Sequence, residues 1–352
     1  MRAAIVADTH LGNHTYLGGA LVSGLNIRCR AALAVLHDAA EYAGMSACDV
    51  FIVAGDLFDS PRTAPQLIHA AADAMKPMAQ DGRRVYLLRG NHDAAGPTEL
   101  DDALAPFRHI PGFTVVSGEA QRVTHLGASF ALIPYAPSST AVLAGLRDTV
   151  AGTEFVVAHA GLVDSRTPKY LSQGADAVNS GLIKSVLVGM LGGFFGHWHS
   201  WKQFEGDNVW QIGTLIPHDF NDVGDTGRMA IVDTGKGTVE WVHVSGPRFV
   251  NLANGALIEC EDDCEYYIRA SVDDTRDIDN LMPASVTDAH VQRVESDSIE
   301  ATVAARACAQ AARAASTLDD ALIAYVAEMP LDASVSRENV RAHCARYLSE
   351  VQ

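Results

Sequence analysis

The chain has 352 residues, 26 basic and 43 acidic, for a formal charge of −17, with 48% hydrophobic and 20% charged residues. That composition excludes a disordered chain, and the length suits about two domains at roughly 100 to 200 residues each. The charge excludes a protein that coats nucleic acid through clustered Lys and Arg, but leaves room for a local phosphate site.

Along residues 1–245 short β-rich runs alternate with helical ones, the pattern of an α/β layered domain. Residues 2–7 read as a strand, and 28–43 as a helix with Ala31, Val35, Leu36 and Ala39 on one face. A buried strand over 50–54, a helix over 67–78 and strands over 84–88, 129–133 and 155–158 follow. After Leu187 come strands over 210–214, 228–233 and 238–244, separated by Asp, Asn and Gly turns. Two sheets packed face to face between helices account for this order.

Near Gly246 and Pro247 the character changes. Strands over 265–271 and 289–295 flank a polar helix over 277–282, a small βαβ-like unit. Helices follow over 298–315, from a Thr317 or Asp319 cap through Met329, and from a Ser336 cap over 337–351. The last 107 residues carry −10 of the net charge. The apolar run ending at Asp8 reads as a first strand, and the apolar stretch 186–196 is well short of the ~20 residues of a membrane span. A cytoplasmic protein without a membrane segment is expected. The six scattered cysteines, with a single close pair at Cys260 and Cys264, read as free thiols.

Five short segments hold the chemistry. They are Asp8-Thr9-His10, Gly55-Asp56-Leu57-Phe58-Asp59, Gly90-Asn91-His92-Asp93, His159 after Val156-Val157-Ala158, and Gly196-His197-Trp198-His199. Each stands at the end of an apolar strand, where residues i and i+2 share a face and can offer a carboxylate and an imidazole to one ion. Oxygen and nitrogen donors without a thiolate suit manganese, iron or zinc in a catalytic site better than a structural tetrahedral zinc. Two ions ~3.5 to 4 Å apart need a bridging carboxylate, for which Asp56 is best placed. One ion then takes Asp8, His10, Asp56 and His199, and the other Asp56, Asn91, His159 and His197. Two carboxylates against two divalent cations make the pocket positive although the protein is negative. His92, beside Asn91 but directed the other way, is the candidate acid for the leaving oxygen, with Asp93 as the group that orients it.

These segments resemble the five motifs of the calcineurin-like metallophosphoesterases. The resemblance implies an α/β fold, a two-layer β-sandwich flanked by helices, with a two-metal site at the strand ends that hydrolyses a phosphate ester. The Asp8-Thr9-His10-Leu11-Gly12 opening, Gly55 to Ser60, Ile133-Pro134-Tyr135 and Gln211 to Phe220 further resemble the SbcD-type double-strand-break repair nucleases, in a compact, phage-like form. That resemblance implies a nuclease domain over 1–247, a small α+β cap over 248–297, and a helical C-terminal segment over 298–352 that docks an SbcC-type coiled-coil ATPase. It also implies a manganese-dependent DNA exonuclease, with endonuclease activity as a second capacity, in DNA repair, recombination or degradation, and a homodimer.

The sequence departs from that pattern in two places. The loop around Gly18-Gly19 and 21–26 is long, and the cap is acidic, which suits DNA poorly. DNA contacts then fall to Arg62, Arg89, Arg166, Lys169 or Lys202, with Arg62, Arg89 and Lys169 foremost. Trp198 and Trp201 are placed to stack on a base or, as the favoured reading, to pack under the site. A phosphodiesterase or phosphatase acting on a small nucleotide or phosphoprotein shares all five motifs and fits the negative charge better, whereas the complete ligand set argues against a non-catalytic scaffold.

Overall fold

The computed structural model describes residues 1–15, 18–96, 102–165, 177–204, 208–220, 222, 227–252, 266–271, 289–294, 318–329 and 336–343. Two six-stranded sheets face each other. The first is built from β1 (Arg2–Val6), β2 (Val50–Val53), β3 (Arg84–Leu88) and β4 (Phe113–Val116), all parallel. The second contains β5 (Gln121–His125), β6 (Ala128–Ile133), β7 (Phe155–His159), β10 (Gly192–Gly196), β11 (Lys202–Gln203) and β12 (Val209–Gln211), of which β6, β7, β10 and β12 run parallel. β13 (Arg228–Asp233) and β14 (Thr238–His243) extend the first sheet, β13 antiparallel to β1. The short pair β8 (Leu162–Val163) and β9 (Val178–Asn179) stands apart.

Alternation along each strand divides the core. Ile5, Ile52 and Leu88 face the second sheet and meet Phe130, Phe155 and Phe194. Phe130 stacks on Phe155 with centroids 5.1 Å apart, and Phe194 stacks on Trp210 at the same spacing. The intervening residues Ala4, Val6, Phe51, Val53 and Leu87 face outward, toward α1 (Ile27–Met45) and α2 (Pro65–Met75). On the far side, α3 (Ser139–Thr149) and α4 (Ser180–Val186) cover the second sheet through Val142, Leu146 and Ile183.

α1 starts where Asn26 Oδ1 accepts from the Cys29 N–H at 2.9 Å. Its buried face runs through Cys29, Ala32, Val35, Leu36, Ala39 and Ala43, so Ala32 stands on that face in place of the expected Ala31. The helix expected over 67–78 gives way after Met75 to a 3₁₀ turn, Lys76–Met78, at Pro77, which has no N–H to continue the ladder. The strand expected over 210–214 stops at Gln211, because Gly213 turns the chain at φ +79°.

A third sheet, β15 (Arg248–Leu252), β16 (Tyr266–Ser271) and β17 (Ala289–Val294), is wholly parallel. It contains the two strands expected there and adds β15. α5 (Leu318–Glu328) includes Asp319, which is therefore not its cap. Ser336 does cap the helical residues 337–343, its Oγ accepting from Asn339 N at 3.4 Å. The helices expected over 277–282 and 298–315, with Thr317 and residues 344–352, lie outside the described residues, as do Cys260, Cys264, Cys308 and Cys344. Cys29 and Cys48 are free, buried thiols, which burial pushes up to about 11. No helix among the described residues is long and apolar enough to cross a membrane.

Candidate metal centre

Parallel strands end on one edge, and that edge collects the site. Asp8 and His10 follow β1, Asp56 follows β2, Asn91 and His92 follow β3, His159 closes β7, and His197 and His199 follow β10. The backbone there is strained: Asp8 (φ 52°), His10 (φ 40°), Asp56 (φ 50°) and His197 (φ 98°) all occupy the left-handed region that side-chain-bearing residues avoid. Glycines make the approaches. A Cβ on Gly55 would collide with the His159 ring, and one on Gly90 with the Asp56 carboxylate.

The seven expected ligands come together in two groups that share Asp56. Asp8, His10 and Asp56 form one set of donor atoms within 4.8 Å of one another, and Asp56, His159 and His197 another. His199 lies with His10, their ring centroids 5.0 Å apart. Asn91 Oδ1 completes the second group, 3.0 Å from His159 Nε2 and 2.9 Å from His197 Nδ1. His159 Nδ1 donates to the Ala54 carbonyl at 2.8 Å, and its Nε2 lies 3.4 Å from Asp56 Oδ2.

Electrostatics follow from this burial. Burial raises Asp8 to about 6, opposed by His159. Burial would also raise Asp56, but His159 and His10 outweigh it and hold the carboxylate well below its usual range. Burial pulls His159 down, yet Asp56 and Asp8 hold it at about 9. His10 Nε2 is buried, 3.5 Å from Asp56 Oδ2, without a hydrogen bond. A buried imidazole nitrogen aimed at a shared carboxylate, within a set of oxygen and nitrogen donors, fits two divalent ions with Asp56 common to both.

His92 stands beside this cluster, its ring 4.5 Å from that of His10. Its Nδ1 lies 3.0 Å from the Asp59 carbonyl, which can only accept, so Nδ1–H donates and Nε2 is left for the site. This corrects the expectation for Asp93. The Asp93 carboxylate accepts from Phe58 N at 3.0 Å and Gly90 N at 2.9 Å, so it ties the loops after β2 and β3 together, and Asp59 is what orients His92. Burial, reinforced by Asp56, raises Asp93 to about 7.

Among the expected substrate contacts, Arg62 is exposed three residues beyond Asp59. Arg89 is buried, 8% exposed, and its backbone N–H and carbonyl pair with the backbones of Val116 and Tyr135. Lys169 lies outside the described residues. Trp201 packs edge-on against Trp241 with Arg228 over its face at 4.3 Å, and Trp198 lies against Gly161, as the packing reading requires.

Sequence reasoning missed the supporting residues. Buried Gln211 donates to the Phe195 and Gly196 carbonyls and accepts from Leu162 N, bracing the end of β10. His218 packs between His10 and His199, and Asp222 accepts from His199. Their signals were a polar residue in an apolar strand and, for Gln211 and His218, the Gln211 to Phe220 run that resembles the SbcD-type segment.

A family profile described as Calcineurin-like phosphoesterase matches residues 1–201. The DNA double-strand break repair protein Mre11 of Methanopyrus kandleri is 28% identical over 116 residues, 31% of this chain and 24% of that protein. The chain thus spans about a quarter of the length of this curated relative. Among solved structures, TT1561 of Thermus thermophilus is 12% identical with a TM-score of 0.40, over 69% of this chain and 98% of that one. A dimetal phosphatase from Danio rerio is 11% identical with a TM-score of 0.39, over 69% and 99%. With the profile covering more than half of its length and all five strand-end segments present, the chain belongs to the calcineurin-like phosphoesterase family.

Proposed function

We propose that the protein is a manganese-dependent DNA nuclease, chiefly an exonuclease, that acts in DNA repair, recombination or degradation with a coiled-coil ATPase partner. The observation that carries the hydrolytic reading is Asp56, shared by two donor groups at the ends of five strands. Two divalent ions, when bound, supply Lewis-acid stabilisation of a phosphoester and water of lowered pKa. Asp8, His10, Asp56 and His199 would hold one, and Asp56, Asn91, His159 and His197 the other. The carboxylate, amide and imidazole set suits manganese, iron or zinc, and manganese is preferred on the SbcD-type resemblance. His92, with Nδ1 fixed on the Asp59 carbonyl, presents Nε2 to protonate the leaving oxygen.

The choice of DNA is supported by the SbcD-like segments around the motifs and by the relative named as a double-strand break repair protein. The C-terminal helices are proposed as the ATPase dock, the chain as a homodimer, and the cytoplasm as its location. Incubation with Mn²⁺ and labelled linear duplex DNA is expected to shorten the duplex, with or without an added ATPase. Turnover of a small diester with no DNA cleavage under either condition would instead establish the second reading, a phosphodiesterase or phosphatase for a small nucleotide or phosphoprotein, which the −17 charge favours.

A further inference from the structure

The turn that follows β12 grips one side of the metal centre. Thr214 N donates to the His199 carbonyl at 2.9 Å, and Leu215 N to that of Ala7 at 3.0 Å. Thr214 Oγ1 donates to the Asp8 carbonyl at 2.6 Å, which the buried His218 Nε2 also meets at 3.1 Å. Asp222 closes the turn by accepting from the His218 backbone N–H at 2.9 Å. Its two carboxylate oxygens also lie 3.2 and 3.1 Å from His199 Nδ1. This segment therefore braces Asp8 and His199, two donors of one ion position.

A carboxylate on one imidazole nitrogen places the proton there and frees the other nitrogen as a ligand. With Nδ1–H on Asp222, His199 is left with Nε2 for an ion, and rotation of its ring would break the contact. The His199 ring lies close to those of His10 and His218, at 5.0 and 4.8 Å, so the orientation is also fixed by packing.

We propose that Asp222 is a positioning residue for His199, one that sets affinity at the ion position of Asp8, His10, Asp56 and His199 and leaves the Asn91, His159 and His197 position alone. This rests on the two-ion reading above. Calorimetric titration of metal-free wild type with Mn²⁺ is expected to show two binding steps. In Asp222→Ala one step weakens by about 10- to 100-fold while the other holds. Asp222→Asn, whose amide oxygen still accepts from Nδ1, recovers part of that loss. Equal weakening of both steps, no weakening, or an Asn variant as poor as Ala overturns the proposal. A wild type that takes up fewer than two ions overturns the two-ion reading and the proposal with it. A measurement without any variant gives an independent check: imidazole ¹H–¹⁵N spectra of the Zn²⁺-loaded protein place the His199 proton on Nδ1, and a proton on Nε2 contradicts the assignment.

Discussion

Backbone strain at Asp8, His10, Asp56 and His197 is tolerated because each side chain is fixed by neighbours that arrive from another strand. Asp8 accepts from His197 N at 3.0 and 2.9 Å, and Asp56 from His92 N at 2.8 Å. Gly55, at φ +93°, lets β2 end directly beneath His159. Gly55→Ala combines a left-handed alanine with a collision against the His159 ring, so a loss of about 1–3 kcal/mol in denaturant unfolding and reduced metal content are expected. The candidate ligands that cluster in the structure could be read from sequence, because residue type and i, i+2 spacing after an apolar run carry the information. Asp59, His218 and Asp222 could not, since their roles depend on which carbonyl or imidazole a folded loop brings near. Asp93 shows the same limit: adjacency to His92 suggested a partner, while the turn sends its carboxylate to Gly90 and Phe58.

At the scale of elements, apolar runs made β1, β2, β3 and β7 legible, and the cap at Ser336 was legible from its side chain. β10 was read only as a strand before His197, without bounds, because three of its five residues are glycine, which weakens the strand signal. The structure shows why they are there: a Cβ on Gly196 would strike the Ala54 carbonyl, and one on Gly193 would crowd Leu187 and Phe195. What lets β10 bring His197 against Asp8 is therefore what blurs its bounds in the sequence. α1 was found with its start one residue late, although Asn26 marks the boundary. That residue also donates from Nδ2 to the His14 carbonyl at 2.7 Å, joining the helix to the long segment after His10. Asn26→Ala is expected to cost about 1 kcal/mol or more in thermal or denaturant unfolding, with the excess over a simple cap reporting that second bond.

Across the whole molecule, a chain of −17 gathers its histidines and shared carboxylate at one edge where two sheets meet. The third sheet reaches the same place. The Arg28 guanidinium donates to the His218 carbonyl and lies over the Phe249 and Tyr267 rings at 5.1 and 5.7 Å, so α1, the turn after β12 and the third sheet share one contact. The two-sheet layering could be read from the order of runs, but this junction could not, because it joins Arg28 to residues 190 or more positions along the chain. We propose a division of labour inside the site, in which Asp56 would hold both ions and His92 would hold neither but supply a proton. Metal content and phosphodiester turnover, measured together on wild type, Asp56→Asn and His92→Ala, test it most directly. Asp56→Asn should lose both ions and all turnover, whereas His92→Ala should keep both and lose about 10²- to 10⁴-fold in rate, partly regained on a diester with a good leaving group. Equal metal loss in the two variants would contradict the account.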